Sequence, residues 1–200
     1  PSFLTRLRQL PADPALPPHL LQTRQWDGPL CRVRLDNTGS SPEAVRHWRP
    51  FEGALGLSPD AAIYGEGFQM LAQTMGSWQA PEPVGRCPDA GVYRITDDDG
   101  YHTVHNLLLV ACEGGWLLLA FASCHRFGGE FRLYPDGRLE IVMNAEGRTL
   151  APGQHWQSEA LICLEGPDRE ALLATLAQHI AAEHGSLVGE VPTRPSGWCS

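Results

Sequence analysis

Lysine is missing from this 200-residue chain: all 15 of its basic side chains are arginine, set against 23 acids for a net charge of −8. An acidic chain without a basic stripe repels phosphate backbones, which excludes nucleic acid as an expected partner. The same charge disfavours an anionic membrane surface. Long apolar runs are missing too. The longest, 107–112 and 116–122, are strand-sized and fall well short of the roughly 20 residues that cross a bilayer. The first six residues carry little basic charge and no apolar core follows them, so no signal peptide is expected.

None of the six cysteines falls in a CxxC pair. An even count fits disulfides only in a small secreted protein. Here Cys112, Cys124 and Cys163 sit inside or at the ends of apolar runs, so buried thiols and a cytoplasmic location are expected. Catalytic signatures are also missing. There is no GxSxG, and Cys124-His125 are mere sequence neighbours. Gly65-x-Gly67 lacks the further glycine and helix of a dinucleotide site. His102 and His105, three apart on a strand, take opposite faces. Asp97-Asp98-Asp99-Gly100 has no glutamate at the twelfth calcium-loop position. No metal, no cofactor and no catalytic residue is expected in these residues.

What is plentiful is turn chemistry. The 21 glycines and 17 prolines are dispersed through a chain that is 42% hydrophobic and only 19% charged, as short strands joined by turns would require. Residues 1–30 read as a loosely structured lead-in, followed by a strand at 30–35 and a poorly patterned one within 44–57. Residues 65–91 read as a long irregular loop with unusual apolar content: Phe68, Met70, Leu71, Met75 and Trp78. Such loops in compact domains are usually functional. From Gly91 onward, strands at 92–96, 101–112, 116–125, 130–134, 138–144, 148–151 and 156–165 are joined by hairpin turns, hence antiparallel. Residues 138–143 alternate, so one face meets the core and the other water. Residues 107–112 and 117–121 do not alternate and read as buried on both faces. A helix spans 168–184, with acids in its first turn, an apolar stripe of Leu172, Leu173, Leu176 and Ile180, and Gly185 placed as its cap. The fold class is mainly β: a two-layer antiparallel β-sandwich with one C-terminal helix. This domain takes in residues 1–190, and 191–200 open with a proline-containing linker that leads out of it.

The order of strand run, helix, Pro192-Thr193-Arg194-Pro195 and Gly197-Trp198-Cys199-Ser200 resembles the junction in α-galactosidases of glycoside hydrolase family 36 and their raffinose-synthase relatives. There, a linker leads from a supersandwich domain into a Gly-Trp-Cys-Ser-Trp segment on the first strand of a (β/α)8 barrel. A weaker match is Gly67-Phe68-Gln69-Met70-Leu71. In the family a similar loop carries an aromatic-Gln-Ser-Trp segment that reaches towards the sugar site, and Met70-Leu71 depart from it. The resemblance covers the architecture from about residue 30 onward, with residue matches near the tail and in this loop.

The resemblance implies a retaining glycosidase whose two catalytic Asp lie on the barrel, beyond Ser200. This chain would then be a non-catalytic front domain that covers the barrel, lines the rim of an α-galactoside site and could support a homo-oligomer. Phe68, Gln69, Trp78 and Trp198 are its candidate substrate-binding residues. Core packing is the competing reading of Phe68 and Trp78. Two other functions stay open. One is a self-standing carbohydrate-binding module that stacks sugars on Trp26, Trp48, Trp78, Trp116 or Trp156. The other is a purely structural or oligomerisation domain.

Overall fold

The computed structural model describes residues 2–87, 89 and 100–184. In chain order the described residues form α1 (Phe3–Gln9), β1 (Leu20–Asp27), β2 (Leu30–Asn37), β3 (Glu43–Ala54), β4 (Ile63–Glu66), β5 (Ala72–Gly76) and β6 (Pro81–Gly85). There follow β7 (His102–Cys112), β8 (Gly115–Phe121), β9 (Gly128–Leu133), β10 (Arg138–Leu150), β11 (His155–Gln157), β12 (Leu161–Gly166) and α2 (Arg169–His184). The chain is mainly β, every pairing among the described strands is antiparallel, and a helix follows them on the C-terminal side.

One long ladder runs β1-β2-β12-β8-β7-β4-β5-β6, and a branch runs β7-β9-β10-β3. β7 belongs to both. Its residues 102–105 pair with β9, and 107–112 pair with β8. Asn106 lies between the two sets with φ 58°, a left-handed conformation that asparagine tolerates better than most residues. The strand changes layer there. Leu35, Leu108, Leu119 and Cys163 from the first layer meet Trp48, Phe51, Phe131 and Ile141 from the second in the main core.

The non-alternating runs are buried on both faces, as expected. Leu117 and Leu119 face the main core, while Leu118 and Ala120 join Leu109, Ile162 and Leu164 beneath Leu172 and Leu176 of α2. Asp168 caps that helix: its Oδ1 accepts from the N–H of Glu170 at 2.8 Å and of Ala171 at 3.3 Å.

The outer face of β10 departs from expectation. Glu140 is only 1% exposed. It accepts from Arg138 Nη1 at 2.7 Å and Tyr134 Oη at 3.0 Å, with Arg49 Nη1 at 3.4 Å and Arg132 Nη1 at 3.7 Å. Asp13, Glu52 and Glu130 complete this lattice through Arg49, Arg138 and Arg132 respectively. Asp13 most of all drives the Arg49 pKa further up.

The lead-in is more ordered than its composition indicates. Ser2 Oγ accepts from Thr5 N–H to start α1, which inserts Leu7 into the core. β1 turns Leu20, Gln22, Arg24 and Trp26 inward, and two polar residues among these four hide its period. Gln22 Nε2 reaches the carbonyls of Arg49 and Pro50, and Arg24 Nη1 that of Leu10. Residues 11–13 also hydrogen-bond β3 at Arg49 and Glu52. The edges of β1 and β3 are thus drawn together, and the sandwich nearly closes like a barrel.

Two further differences have local causes. Residues 145–147 make no turn between strands. Glu146 and Gly147 take positive φ as a bulge, and β10 continues through them. A second register shift, near Pro50, brings both Trp48 and Phe51 inward on β3. Residues 65–91 are no single loop but contain β5 and β6. Among the described strands β6 is outermost beyond β5, and Pro81 and Pro83 pair with Gly76 and Thr74. Proline has no N–H to give β5, so these positions direct their missing donors away from the ladder. The strand at 92–96, the turn residues 97–99, Gly185, the linker and Trp198 lie outside the described residues.

Candidate functional site

β4 is held between β7 and β5 and delivers the chain to a tip at 67–71. Gly67 N–H donates to Ala72 O at 2.8 Å, and Ala72 N–H to Gln69 O at 3.1 Å. A Cβ on Gly67 would fall 2.5 Å from Ala72 Cβ and 2.7 Å from Asp89 Oδ2. Only glycine therefore leaves room for the Asp89 carboxylate, which accepts from the N–H groups of Phe68 at 2.6 Å and Gln69 at 3.3 Å. Gln69 Nε2 donates to Cys87 O and Gln73 Nε2 to Met70 O at 2.8 Å. The backbone of the tip is fixed by hydrogen bonds while its apolar side chains project.

Phe68 is 56% exposed, its ring meeting that of His105 edge-on at 5.7 Å between centroids. Met70, Leu71 and Met75 are exposed beside it. Behind the tip is a cleft of about 330 Å³, lined among others by Tyr64, Glu66, Phe68, Gln69, Gln73 and Asn106. Glu66 keeps an open side to water, yet burial by the cleft still pushes its carboxyl above the ordinary range. A carboxyl, three amides, a phenol and a partly exposed ring can bind hydroxyl groups and stack on a sugar or apolar surface. They form no nucleophile–base pair. Among the described residues, no group of three or more His, Cys, Asp or Glu could hold a metal ion.

The expected site residues separate. Phe68 and Gln69 share the tip. Trp78 is a core residue, 1% exposed, with its indole N–H donated to Tyr134 O at 3.0 Å; it offers no ring face to a ligand. Trp198 lies outside the described residues. Glu66, Asp89 and Asn106 escaped the sequence reading. Asn106 had a local signal, as an amide set immediately before the apolar run of β7. Asp89 had none, because its contact spans 20 residues of chain.

No family model and no curated protein matches this chain. Its own chemistry is what remains; of the thiols expected to be buried, Cys163 is, whereas Cys112 is half-buried and Cys124 is exposed because its strand ends at Phe121. Cys31, Cys87, Cys112, Cys124 and Cys163 are free. Burial pushes Cys31 up to about 11 and Cys163 higher than its ordinary value, which keeps both protonated and unreactive near neutrality. No helix among the described residues is long and apolar enough to cross a membrane.

Proposed function

We propose that this chain is the non-catalytic front domain of a carbohydrate-active enzyme of the α-galactosidase kind. Its 67–71 tip extends the rim of a sugar site supplied by a separate catalytic barrel. The observation that carries the reading is where the exposed apolar side chains lie. Phe68, Met70, Leu71 and Met75 are gathered on the tip and β5, and Leu21 is the other exposed large hydrophobic among the described residues. Clustered apolar exposure of this kind marks a surface that meets something. The hydrogen-bonded backbone beneath makes the tip a rigid presenter, suited to stacking and to excluding water. The two Asp of the retaining reaction would belong to the barrel; an aryl α-galactoside should not be turned over by this chain. Cytoplasmic location and homo-oligomer contacts form part of the same proposal.

A self-standing module that stacks sugars on tryptophan has less support. Trp48 and Trp78 are buried, and Trp26, Trp116 and Trp156 are half-buried against the two cores. The deciding variant is Phe68→Ala in the enzyme that carries this domain. The expected result is a raised KM worth about 1–3 kcal/mol of sugar binding, with the melting temperature of this domain unchanged. A melting temperature lowered by many degrees with normal kinetics per folded molecule would make Phe68 a packing residue and end the rim reading.

A further inference from the structure

A wide cleft lies at the other end of β4 and β7, away from the tip. It measures about 830 Å³ and is lined by Phe3 and Arg6 of α1, residues 56–58 and 60–62 between β3 and β4, Cys112 at the end of β7, Glu113 after it, and Glu165 near the end of β12. A smaller hollow of about 360 Å³ shares Cys112, Glu113 and Glu165 and extends the groove to Trp116. Both volumes fit the range of about 300–1,000 Å³ typical of small-ligand clefts.

We propose that this groove is a binding site for a neutral, polyhydroxylated ligand of the saccharide class, held by this domain itself. The polar groups decide the class. Asp60, Glu113 and Glu165 face the groove together with a single guanidinium, Arg6. An anion would meet three carboxylates, and a cation, though drawn by them, would leave the Arg6 guanidinium without an acceptor. Hydroxyl groups satisfy both, donating to the carboxylates and accepting from the guanidinium.

The groups are also held in place. Arg6 Cζ lies 4.0 Å from the centre of the Phe3 ring, and Arg6 Nη1 packs where a Cβ on Gly56 would come within 2.6 Å. Gly56 has φ +66°, so a side chain is excluded there by space and by conformation. Arg6 Nε is buried with no hydrogen-bond partner among the described residues, a donor that calls for an acceptor. Asp60 Oδ1 is oriented by Gln79 Nε2 at 3.0 Å, and Glu165 Oε2 by the Leu4 N–H at 3.1 Å. Each keeps acceptor capacity for a ligand. Phe3 and Trp116 place an aromatic ring towards either end of the groove.

The test is a titration of the full chain with galactose, glucose and a neutral trisaccharide, followed by backbone amide resonances. Spermidine and citrate serve as cationic and anionic controls. The expected result is saturable shifts at Arg6, Gly56, Asp60 and Glu113 with sugar only. Asp60→Asn and Glu165→Gln should each weaken binding about tenfold at an unchanged melting temperature. Phe68→Ala should leave it untouched, which separates this site from the rim. In the unaltered chain, sugar should slow alkylation of Cys112 but not of exposed Cys124, a readout that no variant's folding can confuse. Overturning results are the lack of saturable shifts with any sugar, saturation by spermidine or citrate instead, or shifts confined to the Phe68 tip.

Discussion

β8 and β12 hide their outer face beneath an apolar helix, whereas β9 and β10 hide theirs within a lattice of arginines and carboxylates. The first cover is written plainly in the sequence, since continuous apolar strands and an amphipathic helix each announce a buried side. The second is disguised. Arg138, Glu140 and Asn144 alternate with Leu139, Ile141 and Met143 in a pattern that ordinarily means water on one side. Yet Glu140 is as secluded as the leucines behind it. Polarity in a strand reports what a face can bond to, and only the neighbouring strands decide whether that partner is water.

The two covers should fail differently. The largest effect is expected from Glu140→Ala. Three guanidiniums would lose their shared acceptor in a secluded place, and removing one partner of a buried ionic group costs about 3–5 kcal/mol. Urea denaturation measures it; a loss under about 1 kcal/mol would show that the lattice is solvated like a surface. Leu172→Ala, under the helix, should cost about 2–3 kcal/mol, the lower part of the usual range because the site lies at the rim of its cluster. Its effect should be insensitive to salt. Smallest is Asp168→Ala, which removes the cap of α2 for about 1 kcal/mol. Thermal unfolding should then show a modest shift with the ladder of β8 and β12 unaffected. A loss as large as that for Leu172 would mean that helix and sheet unfold as one unit.

How far the sequence could be read follows from the same contrast. α2 and the apolar strands β7, β8 and β12 were legible because their burial is local and periodic. β1 was not, since Gln22 and Arg24 take inward positions to bridge to carbonyls of β3 and Leu10, partners invisible along the chain. The bulge at Glu146-Gly147 carries glycine as a turn would, and only the continuing register with β3 distinguishes the two. At the site, Phe68 and Gln69 stood out because apolar and glycine residues crowd together there. Trp78 stood out for the same reason and belongs to the core, since composition does not tell which side of a strand a ring takes.

Pro81 and Pro83 carry a consequence beyond β6 itself. A partner arriving at that border finds acceptors without the alternating donors that would extend a ladder, so it cannot be recruited by backbone alone. Recognition there falls to side chains. Such an encounter depends on shape and chemistry that single substitutions can retune, and along this border, as the described residues form it, stacked copies of the chain find a poor template for growing into fibres.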